Sequence, residues 1–139
     1  MGSLDAYAQA VALKQRLPLQ FKEASEPAEW PQGAVDVVTM IDVMHHLPQE
    51  IRQAFVEAAA ARLAPGGRFV YKDMDKRPVW RALWNNLHDL LLAREWVRLE
   101  PSANVRNWAL NAGLRQVSGL RYSACGLYGH ELLVFERER

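Results

Sequence analysis

The sequence predicts an α/β fold, a mainly parallel sheet with helices on both faces that closes in a C-terminal antiparallel hairpin. Three observations carry that prediction. Segments of helical and of strand period alternate through the middle of the chain, the pattern of strands joined by crossover helices. The run Val35-Asp36-Val37-Val38-Thr39-Met40-Ile41 is β-branched and almost continuously apolar, which suits a central parallel strand covered on both faces. Two final strand-period segments flank a glycine-containing turn, as antiparallel neighbours do. The chain has 139 residues, half of them hydrophobic. That is enough for one core, so residues 1–139 are read as a single domain.

Each element has its own signal. Leu4, Tyr7, Ala8, Val11 and Leu17 recur at helical spacing until Pro18, which lacks a backbone donor, so residues 4–17 are expected to form a helix. Residues 19–22 alternate at the strand period, and the polar, proline-containing stretch 23–32 is a loop. After Val35–Ile41, Pro48 suits a first helical turn. Ile51, Phe55, Ala59 and Leu63 then fall on one helix face, and Pro65-Gly66-Gly67 ends that helix before a strand over residues 68–74. Beyond Pro78, Trp80, Leu83, Trp84, Leu87, Leu91 and Trp96 mark a long amphipathic helix. Ser102 is the expected N-cap of a helix through Val105, Trp108 and Ala109, stopped at Asn111-Ala112-Gly113. Strands over residues 116–122 and 131–136 complete the chain, joined around Gly126 and Gly129.

Charge and cysteine content bound the partners. Lys and Arg number 17 against 16 Asp and Glu, so no strong field gathers nucleic acid or an anionic membrane. The single cysteine, Cys125, cannot form an internal disulfide. No signal-like pattern opens the sequence, and a cytoplasmic setting is expected. No apolar run approaches the roughly 20 residues that span a bilayer.

Val35-Asp36-Val37-Val38-Thr39-Met40-Ile41-Asp42-Val43-Met44-His45-His46-Leu47, followed after a helix by Leu63-Ala64-Pro65-Gly66-Gly67-Arg68-Phe69-Val70, resembles the fourth through fifth strands of class I S-adenosylmethionine-dependent methyltransferases. The closing Glu131-Leu132-Leu133-Val134-Phe135-Glu136 is similar to that family's antiparallel seventh strand, and the resemblance spans nearly the whole chain. It implies a Rossmann-like sheet, S-adenosylmethionine as cofactor and methyl transfer to a small-molecule acceptor.

The sequence departs from the family at the cofactor loop. The family's first strand leads into a glycine-rich loop that lets the backbone approach the cofactor, and this sequence has no such loop. Gly66-Gly67 follows a helix and precedes a strand, the wrong side for cradling a ligand, and is read as a structural turn. The chain is therefore expected to be the C-terminal portion of the fold, N-terminally truncated and impaired in cofactor binding by itself. The absent strands would lie beside Val35–Ile41 in the family's sheet order. That leaves an open edge and the expectation of a homodimer or strand-exchanged assembly. The alternative reading is a non-catalytic remnant or interaction module that dimerises through the same edge.

Ligands of open α/β sheets sit beyond the carboxyl ends of the strands, which points to Ala24 and Ser25, to Ile41 through His46, and to Asp73 through Asp75. The resemblance puts Ser25 beside the adenine, where the family commonly has aspartate. It puts Ile41 and Asp42 at the methionine end of the cofactor, chiefly through backbone carbonyls. Asp42 has a second reading, as a carboxylate favoured by the dipole of the following helix. His46 and His45 are the candidate general bases, since imidazole titrates near neutral pH. The alternative is that one packs while the other hydrogen-bonds within the turn. No Cys, Asp or Glu set completes a metal site with them. His88 and His130 read as solvated or satisfied locally. Trp80, Trp84, Trp96 and Trp108 read as core, with the first two near enough to the strand ends to line an acceptor pocket.

Overall fold

The architecture comes from a computed structural model, which describes residues 11, 22–74, 99–124 and 128–139. Met1–Pro31 and Gln32–Arg139 form two compact units. The expected helix over residues 4–17, the strand over 19–22, the long helix after Pro78, His88 and the turn around Gly126 lie outside the described residues. In the first unit the described chain makes a single 3-10 turn, Pro27–Glu29, closed by a reciprocal capping box between Glu26 and Glu29.

The second unit runs β1 (Val35–Ile41), a 3-10 turn (Met44–His46), α1 (Gln49–Arg62), β2 (Leu63–Met74), α2 (Ser102–Asn111), β3 (Leu114–Ala124) and β4 (Tyr128–Arg137). The sheet order is β1-β2-β4-β3. β1 and β2 are parallel, and β2–β4 and β3–β4 are antiparallel. This is the expected α/β arrangement, a parallel crossover pair followed by the C-terminal antiparallel hairpin.

One sheet face holds the core. Val38, Phe69 and Phe135 are partners across three strands, as are Met40, Tyr71 and Leu133. Phe69, Phe135 and Leu133 are fully buried, and the two phenyl rings stack with centroids 6.0 Å apart. Phe55, Val56, Ala59 and Ala60 of α1 and Val105 and Ala109 of α2 are buried with them. Alternation sends the next residues to the opposite face, where Val37 and Ile41 of β1 and Leu120 and Tyr122 of β3 remain exposed.

Four expectations need correction. Val35–Ile41 is an edge strand among the described residues, not a central one covered on both faces. It borders β2 alone, and Val35, Val37 and Ile41 are exposed. Leu63 is not the last helical residue but the first of β2, opposite Val35. The ladder slips between Val35 and Val37 because Pro65-Gly66-Gly67 loops out of it. Gly66 there has φ +80°, and a Cβ at Gly67 would stand 2.8 Å from the Ala64 carbonyl oxygen and 3.1 Å from that of Asp36. Only glycine fits so close an approach. Ile51 is exposed and Arg52 takes the buried position, because its guanidinium finds buried partners described below. Finally, Pro101 rather than Ser102 is the N-cap of α2. The predicted stop holds, with Gly113 at φ +81°.

Candidate functional site

The carboxyl ends of β1 and β2 carry the polar chemistry of the second unit. β1 ends at Ile41, and Asp42 turns the chain with φ +53°, the one positive-φ non-glycine residue among the described residues. Aspartate tolerates that conformation better than β-branched residues do. The Asp42 amide still donates to the Lys72 carbonyl at 2.9 Å, and its carboxylate pairs with the Lys72 ammonium. Asp42 Oδ1 is buried with no hydrogen-bond partner.

The turn that follows is anchored by the fully buried Met44, which fixes the adjacent histidines. His45 Nδ1 lies 2.6 Å from Asp73 Oδ1, with both side chains almost wholly buried. The His45 amide donates to the other carboxylate oxygen at 3.3 Å, and the Met74 amide donates to Asp73 Oδ1 at 2.7 Å. A carboxylate only accepts, so Nδ1 is the donor in this contact. His46 is exposed, its ring tilted 46° against that of His45 at 4.0 Å between centroids. His45 is thus held by a carboxylate of β2, and His46 faces outward.

Behind the dyad lies a band of buried ions. Glu131 of β4 pairs in register with Asp73 of β2 on one side and Arg121 of β3 on the other. Its Oε1 accepts from Arg121 Nε at 3.2 Å and also from Arg106 of α2, while Oε2 is buried without a partner. Arg52 donates to the Leu47 carbonyl at 2.9 Å and to Glu100 at 2.7 Å, and Asn104 donates to the same carboxylate at 2.7 Å. Arg52 thus ties the end of the histidine turn to the residues leading into α2. Burial, reinforced by Asp73, Glu100 and Glu131, pushes the Tyr71 phenol far above its ordinary range, so the hydroxyl stays protonated.

On the other face His130 stacks on Tyr122 with centroids 5.4 Å apart, and its Nδ1 is buried and unpartnered. That nitrogen is thus neither solvated nor satisfied locally, the two readings expected for His130. Burial, and then the Lys72 charge, hold its pKa below the ordinary histidine value.

Of the sequence candidates, Asp42, His45 and Asp73 converge with Lys72 on one end of the β1–β2 pair, with exposed Ile41 beside them. Ser25 belongs to the first unit, where its amide donates to Glu29 at 2.6 Å. The hydrogen bonds from Ser25 and Glu26 hold the Glu29 carboxyl below its usual range. Sequence reasoning missed Lys72, Arg52, Glu100 and Glu131. Trp108 is half-buried on α2, while the other helical tryptophans lie outside the described residues. Among the described residues no group of three or more His, Cys, Asp or Glu is placed to hold a metal ion, and no helix is long and apolar enough to cross a membrane.

Residues 4–118 match the family model of a methyltransferase domain. No curated protein matches the chain in sequence. Among solved structures, an O-methyltransferase family protein from Burkholderia thailandensis superposes with a TM-score of 0.74 at 22% identity, over 96% of this chain and 40% of that one. Magnesium protoporphyrin IX methyltransferase from Synechocystis, solved with bound S-adenosylhomocysteine, gives 0.69 at 17% identity over 97% and 59%. A cyclase of the same fold gives 0.70 at 11% identity over 96% and 63%. The chain thus spans less than two thirds of each of these proteins, and at such identities the likeness concerns the fold, which hosts more than one chemistry.

Proposed function

The chain belongs to the methyltransferase domain family, and from that premise we propose that it serves methyl transfer from S-adenosylmethionine to a hydroxyl-bearing small molecule, with His45 as general base. The observation that carries the proposal is the buried 2.6 Å contact between His45 Nδ1 and Asp73 at the carboxyl ends of two parallel strands. It orients the imidazole with Nδ1 toward the carboxylate, the arrangement a general base uses. The Asp73 carboxylate then stabilises the imidazolium that forms.

The bound cofactor supplies an electrophilic methyl group on sulfonium. The residues at the end of β1 fit its methionine portion: Asp42 Oδ1 is a buried acceptor lacking a donor, suited to an ammonium, and exposed Ile41 offers an apolar wall. The protein's share of the rate is orientation and proton removal. His46 is the alternative base and, where His45 serves, an exposed ring bordering the acceptor. A cytoplasmic setting fits a chain whose single cysteine makes no internal disulfide.

Transfer of labelled methyl from S-adenosylmethionine to a panel of phenols and carboxylic acids tests this reading. His45→Gln should lose roughly a hundred- to ten-thousand-fold in kcat. Asp73→Asn should lose less and displace the pH profile. Loss in His46→Gln with His45→Gln unchanged transfers the role to His46. Calorimetric titration with S-adenosylhomocysteine gauges the chain's competence separately: no heat at high protein concentration removes activity from this chain by itself and leaves its family untouched.

A further inference from the structure

The two edges of the sheet are built differently. The β3 edge carries Arg115 and Arg121 and a register shift between Gln116 and Ser118, the charges and irregularity that keep an edge from pairing with another chain. The β1 edge, Val35–Ile41, has neither lysine, arginine nor proline. It borders β2 only, among the described residues.

Its outward backbone groups can be assigned. The Asp42 amide bonds to Lys72 of β2, and the Asp36 carbonyl oxygen lies 3.1 Å from the Cβ position of Gly67, so Asp36 and Asp42 direct their peptide groups toward β2. Peptide groups alternate along a strand, and therefore those of Val38 and Met40 also face β2, whereas those of Val35, Val37, Thr39 and Ile41 face away. The side chains of this outward set share the open face, and all are β-branched.

We propose that β1 pairs antiparallel with β1 of a second copy about a two-fold axis at Val38, joining the two sheets into one. In that register Val35 opposes the partner's Ile41, and Val37 opposes the partner's Thr39. Every outward donor and acceptor of β1 meets an outward group of the other copy, and each of these pairs exchanges both hydrogen bonds. A shift by one residue would set outward groups against inward ones, and a shift by two leaves part of the set unpaired. The register places Asp36 opposite the partner's Met40, so no like charges meet. It also stacks β-branched side chains directly across the new junction, an arrangement favoured in antiparallel pairs. Val37 and Ile41, each 53% exposed, gain cross-strand neighbours.

Sedimentation equilibrium of the full chain, with circular dichroism as the check on folding, tests the proposal. The native chain should show a concentration-dependent dimer. The double variant Val37→Lys, Thr39→Lys sets lysine opposite lysine in this register and should weaken the dimer on the order of tenfold or more. Val37→Lys with Thr39→Glu sets lysine opposite glutamate and should restore it. Thr39→Pro removes an outward amide while sparing the β2 ladder, and should also give monomer. A native chain that is monomeric at every concentration overturns the proposal, as does a dimer indifferent to Thr39→Pro. Failure of the charge swap to restore the dimer overturns the register. None of these variants alters the His45–Asp73 dyad, so the outcome is independent of the methyl-transfer reading.

Discussion

The two faces of the sheet use the same strands for opposite ends. On the helix-covered face Phe69, Phe135 and Leu133 are fully buried, and the charges there, Asp73 and Glu131, are nearly so. Each of these carboxylates has a cationic or imidazole partner. On the open face Leu120 and Ile41 are more than half exposed, and the ion pair Lys72–Asp42 keeps a half-exposed carboxylate. The contrast teaches that burial, more than residue type, decides what a polar group here can do. A desolvated pair is rigid and costly to break, which suits a base held in one orientation, while a hydrated pair contributes little.

The sharpest way to break the comparison is at Arg52. Arg52 is 2% exposed and Glu100 is 6% exposed, so Arg52→Ala leaves a carboxylate desolvated without its cation. That should destabilise the second unit by about 3–5 kcal/mol in urea titration. Because Arg52 also holds the Leu47 carbonyl, the histidine turn should loosen with it. A loss below about 1 kcal/mol would mean that Glu100 is hydrated in solution and that the covered side is no different from the open one. A matched apolar pair comes next. Phe135→Ala should cost about 3–5 kcal/mol, and Leu120→Ala, on the other face, within about 0.5 kcal/mol. Similar costs would mean that the open face is covered in solution, as the proposed assembly begins to do at its β1 margin.

Most of this architecture was legible in the sequence where one local rule decides. The β-branched run made β1, helical spacing made α1 and α2, and Gly113 stopped α2 where a positive φ was needed. The errors lie where a distant partner decides. Ile51 occupied the phase of the apolar stripe, but Arg52 turned inward because Glu100, 48 residues away, gives it a buried anion that periodicity cannot reveal. The apolar run of β1 likewise reads as covered on both faces whether or not a neighbour exists, so its open edge was expected from the family's sheet order and not from the run itself. At the site, His45, His46 and Asp42 were nominated from the chain's position beyond a strand end. Which histidine is held by a carboxylate depended on Asp73, 28 residues away.

The smallest expected effect concerns the group between the two regimes. His130 sits on the open face, stacked on Tyr122, yet its Nδ1 is buried and unpartnered. Burial and Lys72 hold its pKa below the ordinary histidine value of 6.5. The folded state therefore binds fewer protons than the unfolded chain in the interval between the folded value and about 6.5, and stability rises with pH through that interval. The contribution is neutral above the unfolded value, where both states are deprotonated, and becomes a penalty as pH falls through it, because protonation then favours the unfolded chain. Thermal melts at about pH 7.5 and pH 5.5 should show a lower Tm for the native protein at the acid end. In His130→Gln the acid loss should be smaller, the remaining slope belonging to the other titrating groups. An identical slope in both proteins would place His130 in water and assign it wholly to the hydrated side of the comparison. A slope of the opposite sign would mean that Asp42 and Asp73, which act on the same ring in the raising direction, outweigh burial there.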